Sequence, residues 1–273
     1  MFATGDRLDA YLNRIGLTHA VACSEAGLAE LHAAHGCAIA FENLDILLGR
    51  GVSLHPEDVF AKLVTRRRGG YCFEQNALFG AALAALGFEV RPLLARVWFG
   101  GVTEPREKTH QLLLVTLNGR PWLADVGFGT AGALLPMPME AGFISRQPGR
   151  DYRLSRDAVF GFMLERSIGQ GPWEKLYSFD LELCWPADFE MGSFYMAHAP
   201  QSPFTSRVVC SLQTPGGWRV LVDHDLMEVE DGETRTQVIE PGPAYMEMLR
   251  QRFDLDPGEP YEALRVLSAA DAA

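Results

Sequence analysis

The sequence lacks the features by which membrane proteins and secreted proteins are usually recognised. No apolar run among its 273 residues is long enough to span a bilayer. The segment MFATGDRLDAYL at its start has no basic stretch followed by an apolar core. We therefore expect a cytoplasmic protein that has no membrane partner.

Basic residues are also in the minority. The sequence has 24 Lys and Arg against 35 Asp and Glu, which gives a net charge of −11. Nonspecific binding to nucleic acid requires a basic surface, so this balance argues against a nucleic-acid partner. The net negative charge is still compatible with a small anionic ligand that a few local cations and backbone N–H groups hold. No pattern in the sequence predicts an oligomeric state.

Cysteine is sparse, and its spacing is not that of a metal site. The five cysteines are an odd number without paired spacing, and the seven histidines show no ligand spacing with them. We expect reduced thiols and no metal. An isolated cysteine is usually a small buried hydrophobic residue. Only Cys72 lies in a sequence context that suggests chemistry.

The order of the predicted elements indicates an α+β fold. Helices are predicted up to Gly87, and the strongest covers about 72–86, where Ala and Leu dominate. From Phe88 onward, β-branched and aromatic residues predict strands, and a last helix is predicted over 243–253. Helices followed by strands are typical of α+β proteins. Because the chain exceeds the usual size of one core, we expect two or three subdomains.

The segment RGGYCFEQN, residues 68–76, has the pattern of a nucleophile at a helix start. Its two glycines allow the backbone to turn sharply. Cys72 then falls in the first helical turn, where N–H groups and the helix dipole favour a thiolate. The same N–H groups could stabilise an oxyanion. A buried cysteine behind a loop fits this segment about equally well.

A predicted hairpin places a histidine beside an aspartate. The Asn-Gly dipeptide at 118–119 suits a type I′ turn, which sets Leu117 opposite Arg120. In that register, His110 and Asp125 are diagonal neighbours on one face, about 7–8 Å apart at the backbone. The rest of the face is apolar, so an unpaired carboxylate there would be costly. The pair is either a polar contact that fixes the register or, with the upstream cysteine, an oriented base.

Several segments together resemble the arylamine N-acetyltransferase family. They are RGGYCFEQN, the histidine of THQLLLV and the aspartate of LADVGFG, in that order along the chain. Residues 40–45, AFENLD, resemble the family's Pro-Phe-Glu-Asn-Leu segment, with Ala40 in the proline position. Residues 201–205, QSPFT, resemble its Ser-x-Phe-Thr segment. Jointly these segments are a specific signal, and the departure at Ala40 concerns a local turn.

The resemblance implies both a fold and a reaction. The implied fold has a helical domain over 1–87, a β-barrel domain over 88–195 and an α/β lid over 196–273, with a transglutaminase-like Cys-His-Asp arrangement. The implied reaction moves an acetyl group from acetyl-coenzyme A to an arylamine or arylhydrazine through an acetyl-cysteine. Acetyl-coenzyme A is a cosubstrate in this reaction, and no cofactor stays bound.

The resemblance also implies roles for individual residues. Cys72 is the expected nucleophile, His110 the base and Asp125 its partner. Four residues are expected to line the acceptor pocket: Phe41, Phe128, Phe204 and, less directly, Val97. The glycines of Gly127-Phe128-Gly129 are expected near the pyrophosphate of coenzyme A.

Three alternatives are compatible with the same residues. An amide synthase of the same fold would close a macrolactam from a carrier-bound thioester, and a wide pocket would favour it. A transglutaminase-like cysteine hydrolase would turn over peptide glutamine without coenzyme A. A noncatalytic binding protein could keep the fold, but a binding module has no need of an activated thiol.

Replacing Cys72 by Ala should abolish acetyl transfer, because no acyl-enzyme can form without the thiol. The matched changes at Cys23, Cys37, Cys184 and Cys210 should leave most of the activity. Acetylation assays on the five single variants, each checked by circular dichroism, test this expectation. Substantial activity in folded Cys72→Ala would exclude the acyl-cysteine mechanism.

Overall fold

The structure, a computed structural model, describes residues 1–2 and 5–264. The first third of the chain is helical and contains one short strand. Its elements are α1 (Gly5–Arg14), α2 (Glu25–Ala38), β1 (Phe41–Glu42), α3 (Leu44–Leu47), α4 (Pro56–Phe60), which continues as a wider turn over Ala61–Thr65, and α5 (Cys72–Ala85). Among the residues described, no helix is both long enough and apolar enough to cross a membrane.

Helix α5 begins and ends at the residues that its sequence predicts. The Glu74 carboxylate accepts the N–H of Tyr71 at 3.1 Å, which satisfies one of the free donors at the helix start. Gly87 follows the helix with a φ of +89°, a conformation that favours glycine. Cys72 is therefore the first residue of a capped helix that is buried along most of its length.

The middle of the chain forms one antiparallel sheet that curls into a nearly closed barrel. Its spatial order is β5-β4-β3-β2-β9-β8-β7-β6. The strands are β2 (Glu89–Val97), β3 (Lys108–Leu117), β4 (Arg120–Ala124), β5 (Met137–Pro138), β6 (Ile144–Gln147), β7 (Arg150–Asp157), β8 (Gly161–Ile168) and β9 (Glu174–Phe179). Alternate residues of these strands fill the interior with Leu, Phe, Tyr and Met side chains.

The hairpin of β3 and β4 has the register that the Asn-Gly turn predicts. Leu117 pairs with Arg120, and Leu113 pairs with Ala124. Both turn residues have positive φ, +50° at Asn118 and +76° at Gly119, as a type I′ turn requires. Pairing stops at Ala124, so Asp125 lies just beyond the strand.

The last third of the chain combines a second antiparallel sheet with two helices. Helix α6 (Pro186–His198) leads into β10 (Val209–Thr214), β11 (Gly217–Val222), β12 (Asp225–Glu230) and β13 (Glu233–Val238), and helix α7 (Pro243–Phe253) follows. The sheet order is β1-β10-β11-β12-β13, so the helical region adds its one strand to the C-terminal sheet. The expected α+β fold is confirmed, while the boundaries at 87/88 and 195/196 stay a prediction.

A cluster of buried charges holds the turn before Cys72. Arg68 contacts Glu42 at 2.7 Å and Asp45 at 3.1 Å, and Lys62 contacts Asp45 at 3.0 Å and Glu74 at 2.8 Å. All five residues are buried. Burial would lower the pKa of Lys62, but the surrounding carboxylates outweigh it and raise that pKa. Lys62 therefore stays charged and joins α3, through Asp45, to α5, through Glu74, beneath the turn.

Replacing Lys62 by Met should destabilise the fold by about 3–5 kcal/mol, because it leaves the buried carboxylate of Glu74 without a cation. The free energy of unfolding in urea measures this effect. Arg7→Met is the matched control, since Arg7 and Glu57 form an exposed pair. That control should change stability little. A similar loss in both variants would contradict a special role for the buried cluster.

Candidate active site

Cys72 lies where α5 meets the end of the β3–β4 hairpin. Its side chain is buried, and its thiol lies 3.8 Å from the carbonyl of Thr109 on β3. Gly127 lies directly against it: a Cβ at Gly127 would lie 2.7 Å from the Cα of Cys72 and 2.5 Å from the Nδ2 of Asn76. No side chain fits there, so a glycine is required for this approach of barrel and helix.

His110 and Asp125 form a buried hydrogen bond. The Nε2 of His110 donates to the Oδ2 of Asp125 at 2.7 Å, and the same imidazole is hydrogen-bonded to Cys72. Burial would lower the pKa of His110, but the Asp125 charge and the two hydrogen bonds outweigh it and raise the pKa from 6.5 to about 10. At neutral pH the ring beside the thiol is therefore an imidazolium.

The carboxylate of Asp125 is surrounded by donors. Besides His110, its Oδ1 accepts from the Nδ2 of Asn76 and from the N–H of Gly127, each at 2.9 Å. The hydroxyl of Tyr177 is also hydrogen-bonded to it. Burial would raise the pKa of Asp125, but His110 and these donors outweigh it and lower that pKa. A buried carboxylate with this many donors stays ionised and has a fixed orientation.

Asn76 is a site residue that the sequence analysis does not single out. Its Nδ2 also donates to the carbonyl of Gln111 at 2.6 Å, and its Oδ1 accepts the N–H of Val126 at 3.2 Å. It lies four residues after Cys72 on α5, hence on the same face of the helix. This four-residue spacing is the feature of the sequence that points to Asn76. Its partner, Asp125, is 49 residues away.

The expected pocket aromatics fall into two groups around the thiol. Phe41 and Phe204 have ring centroids 5.6 Å apart and pack in the same apolar cluster as Cys72. Phe128 packs edge-on against the imidazole of His110, at 4.8 Å. Val97 ends β2, opposite Tyr177 of β9.

Asn43 explains why the two outlying segments of the family resemblance meet. Its Nδ2 donates to the carbonyls of Phe204 and Arg207 at 2.9 and 2.7 Å, and its Oδ1 accepts the N–H of Val209 at 2.8 Å. This one amide joins AFENLD to QSPFT and holds Phe204 beside Phe41. Of the two expected glycines, Gly127 packs against Cys72 and donates its N–H to Asp125, whereas Gly129 lies against β10, where a Cβ would meet the Oγ of Ser211.

The stability contribution of the His110 imidazolium should depend on pH. Its pKa is raised in the folded state, so the contribution is fully present below pH 6.5 and is lost as the pH rises through about 10. The difference in unfolding free energy between wild type and His110→Gln should therefore shrink over this interval. Urea titrations at several pH values measure it. The core variant Leu112→Ala, as a control, should show no such trend, and a constant difference for His110→Gln would contradict the raised pKa.

Comparison with known proteins gives concordant matches. A family model described as N-acetyltransferase matches residues 26–259. An arylamine N-acetyltransferase / N-hydroxyarylamine O-acetyltransferase of Salmonella typhimurium is 37% identical over 250 residues, which cover 91% of this chain and 88% of that protein. An arylamine N-acetyltransferase of Mycolicibacterium smegmatis is 36% identical over 257 residues, covering 92% and 93%.

Solved structures match over nearly the whole chain. A structure of arylamine N-acetyltransferase from Salmonella typhimurium has a TM-score of 0.90 at 34% identity and covers 97% of this chain and 98% of its own. A structure of the Mycobacterium marinum arylamine N-acetyltransferase in complex with CoA has a TM-score of 0.88 at 33% identity, with coverages of 94% and 96%.

Proposed function

The chain belongs to the arylamine N-acetyltransferase family, and on that premise we propose that it transfers the acetyl group of acetyl-coenzyme A to the nitrogen of an arylamine or arylhydrazine. The observation that carries the proposal is the buried contact of Cys72 with His110, whose ring is held by Asp125 at 2.7 Å. The relatives' names and the CoA complex of one neighbour favour acetyl transfer over macrolactam closure or peptide hydrolysis. A cytoplasmic location, inferred from composition, is part of the proposal.

In the first half-reaction, the thiolate of Cys72 attacks the thioester carbonyl of acetyl-coenzyme A. A tetrahedral oxyanion forms, and the N–H groups at the start of α5 would stabilise it. The carbon–sulfur bond to coenzyme A then breaks. The leaving thiolate takes the proton of the His110 imidazolium, which the raised pKa of that ring keeps available. The products are acetyl-Cys72, coenzyme A and a neutral imidazole.

In the second half-reaction, the amine nitrogen attacks the acetyl group on Cys72. The neutral His110 accepts the proton that the nitrogen loses, and the carbon–sulfur bond to Cys72 breaks. The Cys72 thiolate and the imidazolium are restored, and the acetylated amine leaves. Asp125 keeps the ring oriented and stabilises its cationic form in both half-reactions.

The aromatic residues near the thiol are the proposed acceptor pocket. Phe41 and Phe204 would hold the ring of the amine on the cysteine side, while Phe128 would contact it on the histidine side. Their packing against the apolar cluster of Cys72 and against His110 supports this assignment. Val97, at the end of β2, would bound the pocket. Gly127 and Gly129 would let the backbone approach the pyrophosphate of coenzyme A.

Acetyl-coenzyme A alone should add one acetyl group to the protein, because the first half-reaction needs no amine. Intact mass followed by peptide mapping should place the group on Cys72, and double-reciprocal plots should be parallel. Cys184→Ala should acetylate like wild type. Intersecting plots together with an unmodified enzyme would instead indicate direct transfer in a ternary complex.

A further inference from the structure

His32 of α2 contacts the backbone of Asp125, whose carboxylate is hydrogen-bonded to His110. Its Nε2 accepts the N–H of Asp125 at 3.0 Å, and its Nδ1 lies 2.9 Å from the carbonyl of Leu134. A backbone N–H can only donate and a carbonyl can only accept, so the ring is neutral with its proton on Nδ1. His32 is 2% exposed and packs edge-on against Phe79 at 5.6 Å. The contact is thus buried and has one defined tautomer.

The N–H of Asp125 needs such a partner because it points away from β3. Hydrogen-bonded and non-hydrogen-bonded pairs alternate along an antiparallel hairpin, and the register sets Asp125 opposite Leu112 in a non-hydrogen-bonded pair. On its other side, β4 pairs with β5 at Trp122 and Leu123, and this pairing ends before Asp125. A buried N–H without an acceptor is costly, so it would move toward another partner. Any such movement would rotate the Asp125 carboxylate, which lies on the same residue.

We propose that His32 is a positioning residue, which fixes the backbone of Asp125 and through it the orientation of His110 toward Cys72. This inference rests on the acetyl transfer proposed above and adds a residue to it. The connection runs in three contacts: His32 to the Asp125 N–H, the Asp125 carboxylate to His110 Nε2, and His110 to the thiol. His32 touches none of the reacting atoms itself.

Three substitutions at His32, two of them amides, separate this role from simple packing. The Asn side chain ends near the place of a histidine Nδ1, and the Gln side chain ends near the place of Nε2. His32→Asn therefore keeps the bond to Leu134 and leaves the Asp125 N–H without an acceptor. His32→Gln restores an acceptor for Asp125 and gives up the bond to Leu134. A residue that only held Leu134 would favour Asn over Gln. One that only filled space would accept His32→Leu, which has no acceptor for the Asp125 N–H, as well as it accepts His32→Gln.

The experiment measures the alkylation rate of Cys72 by iodoacetamide at neutral pH and its single-turnover acetylation by acetyl-coenzyme A. His32→Asn should slow both by about tenfold or more, since small misplacements of a reacting group cost that much. His32→Gln should recover most of that loss. His55→Asn, an exposed histidine outside the site, is the matched control and should resemble wild type. Equal rates in His32→Asn and His32→Gln, an unaffected His32→Asn, or a His32→Leu as reactive as His32→Gln would overturn the inference.

A measurement on the wild-type protein covers the case in which His32→Asn fails to fold. A long-range ¹H–¹⁵N spectrum should show His32 with Nδ1 protonated and Nε2 unprotonated, and a proton on Nε2 would overturn the contact. Alkylation needs no coenzyme A, so the two proposals can fail separately. If wild type is not acetylated but alkylation still differs between His32→Asn and His32→Gln, only the proposed acetyl transfer is wrong. If wild type is acetylated but alkylation does not differ between the two variants, only the proposed role of His32 is wrong.

Discussion

The close approach of Gly127 to Cys72 is the constraint on which the rest of the site depends. A Cβ at position 127 would lie 2.7 Å from the Cα of Cys72, so the end of the hairpin and the start of α5 are in direct backbone contact. Only at this separation can Asn76, one turn along the helix, reach the Asp125 carboxylate, and only there can His110 face the thiol. Because Gly127 has no side chain, the helical region and the barrel can meet at the reactive thiol.

The charges of the site are kept in place by burial, ion pairs and hydrogen bonds. On one side, the Lys62 and Arg68 cluster fixes the turn before Cys72. On the other, Asp125 and its donors hold an imidazolium against the thiol. What they provide is preorganisation, since the polar groups need not rearrange when the thiolate attacks.

Local chemistry is the part of this arrangement that the sequence could predict. The Asn-Gly turn sets Leu117 opposite Arg120. Counting outward along both strands from that pair brings His110 next to Asp125. The glycine stop and the Ala-Leu interior define α5 in the same way. Strand β13 gives no comparable signal, because all of its residues are exposed and no apolar alternation marks it. The four-residue spacing from Cys72 places Asn76 on the same face of α5, but its partner lies 49 residues away and depends on tertiary contact. His32 could not be assigned for the same reason, since its partner is 93 residues away.

The contacts of Asp125 with two helices determine how it acts on His110. Asn76 of α5 donates to its side chain, and His32 of α2 accepts from its backbone, so side chain and main chain are held independently. Oδ1 is occupied by Asn76 and Gly127, which leaves Oδ2 for His110. The raised pKa of His110 therefore comes from both the charge of Asp125 and the hydrogen bond at Oδ2, and it depends on where that one oxygen lies. A change that preserves every charge but rotates this carboxylate would still weaken the activation of the thiol.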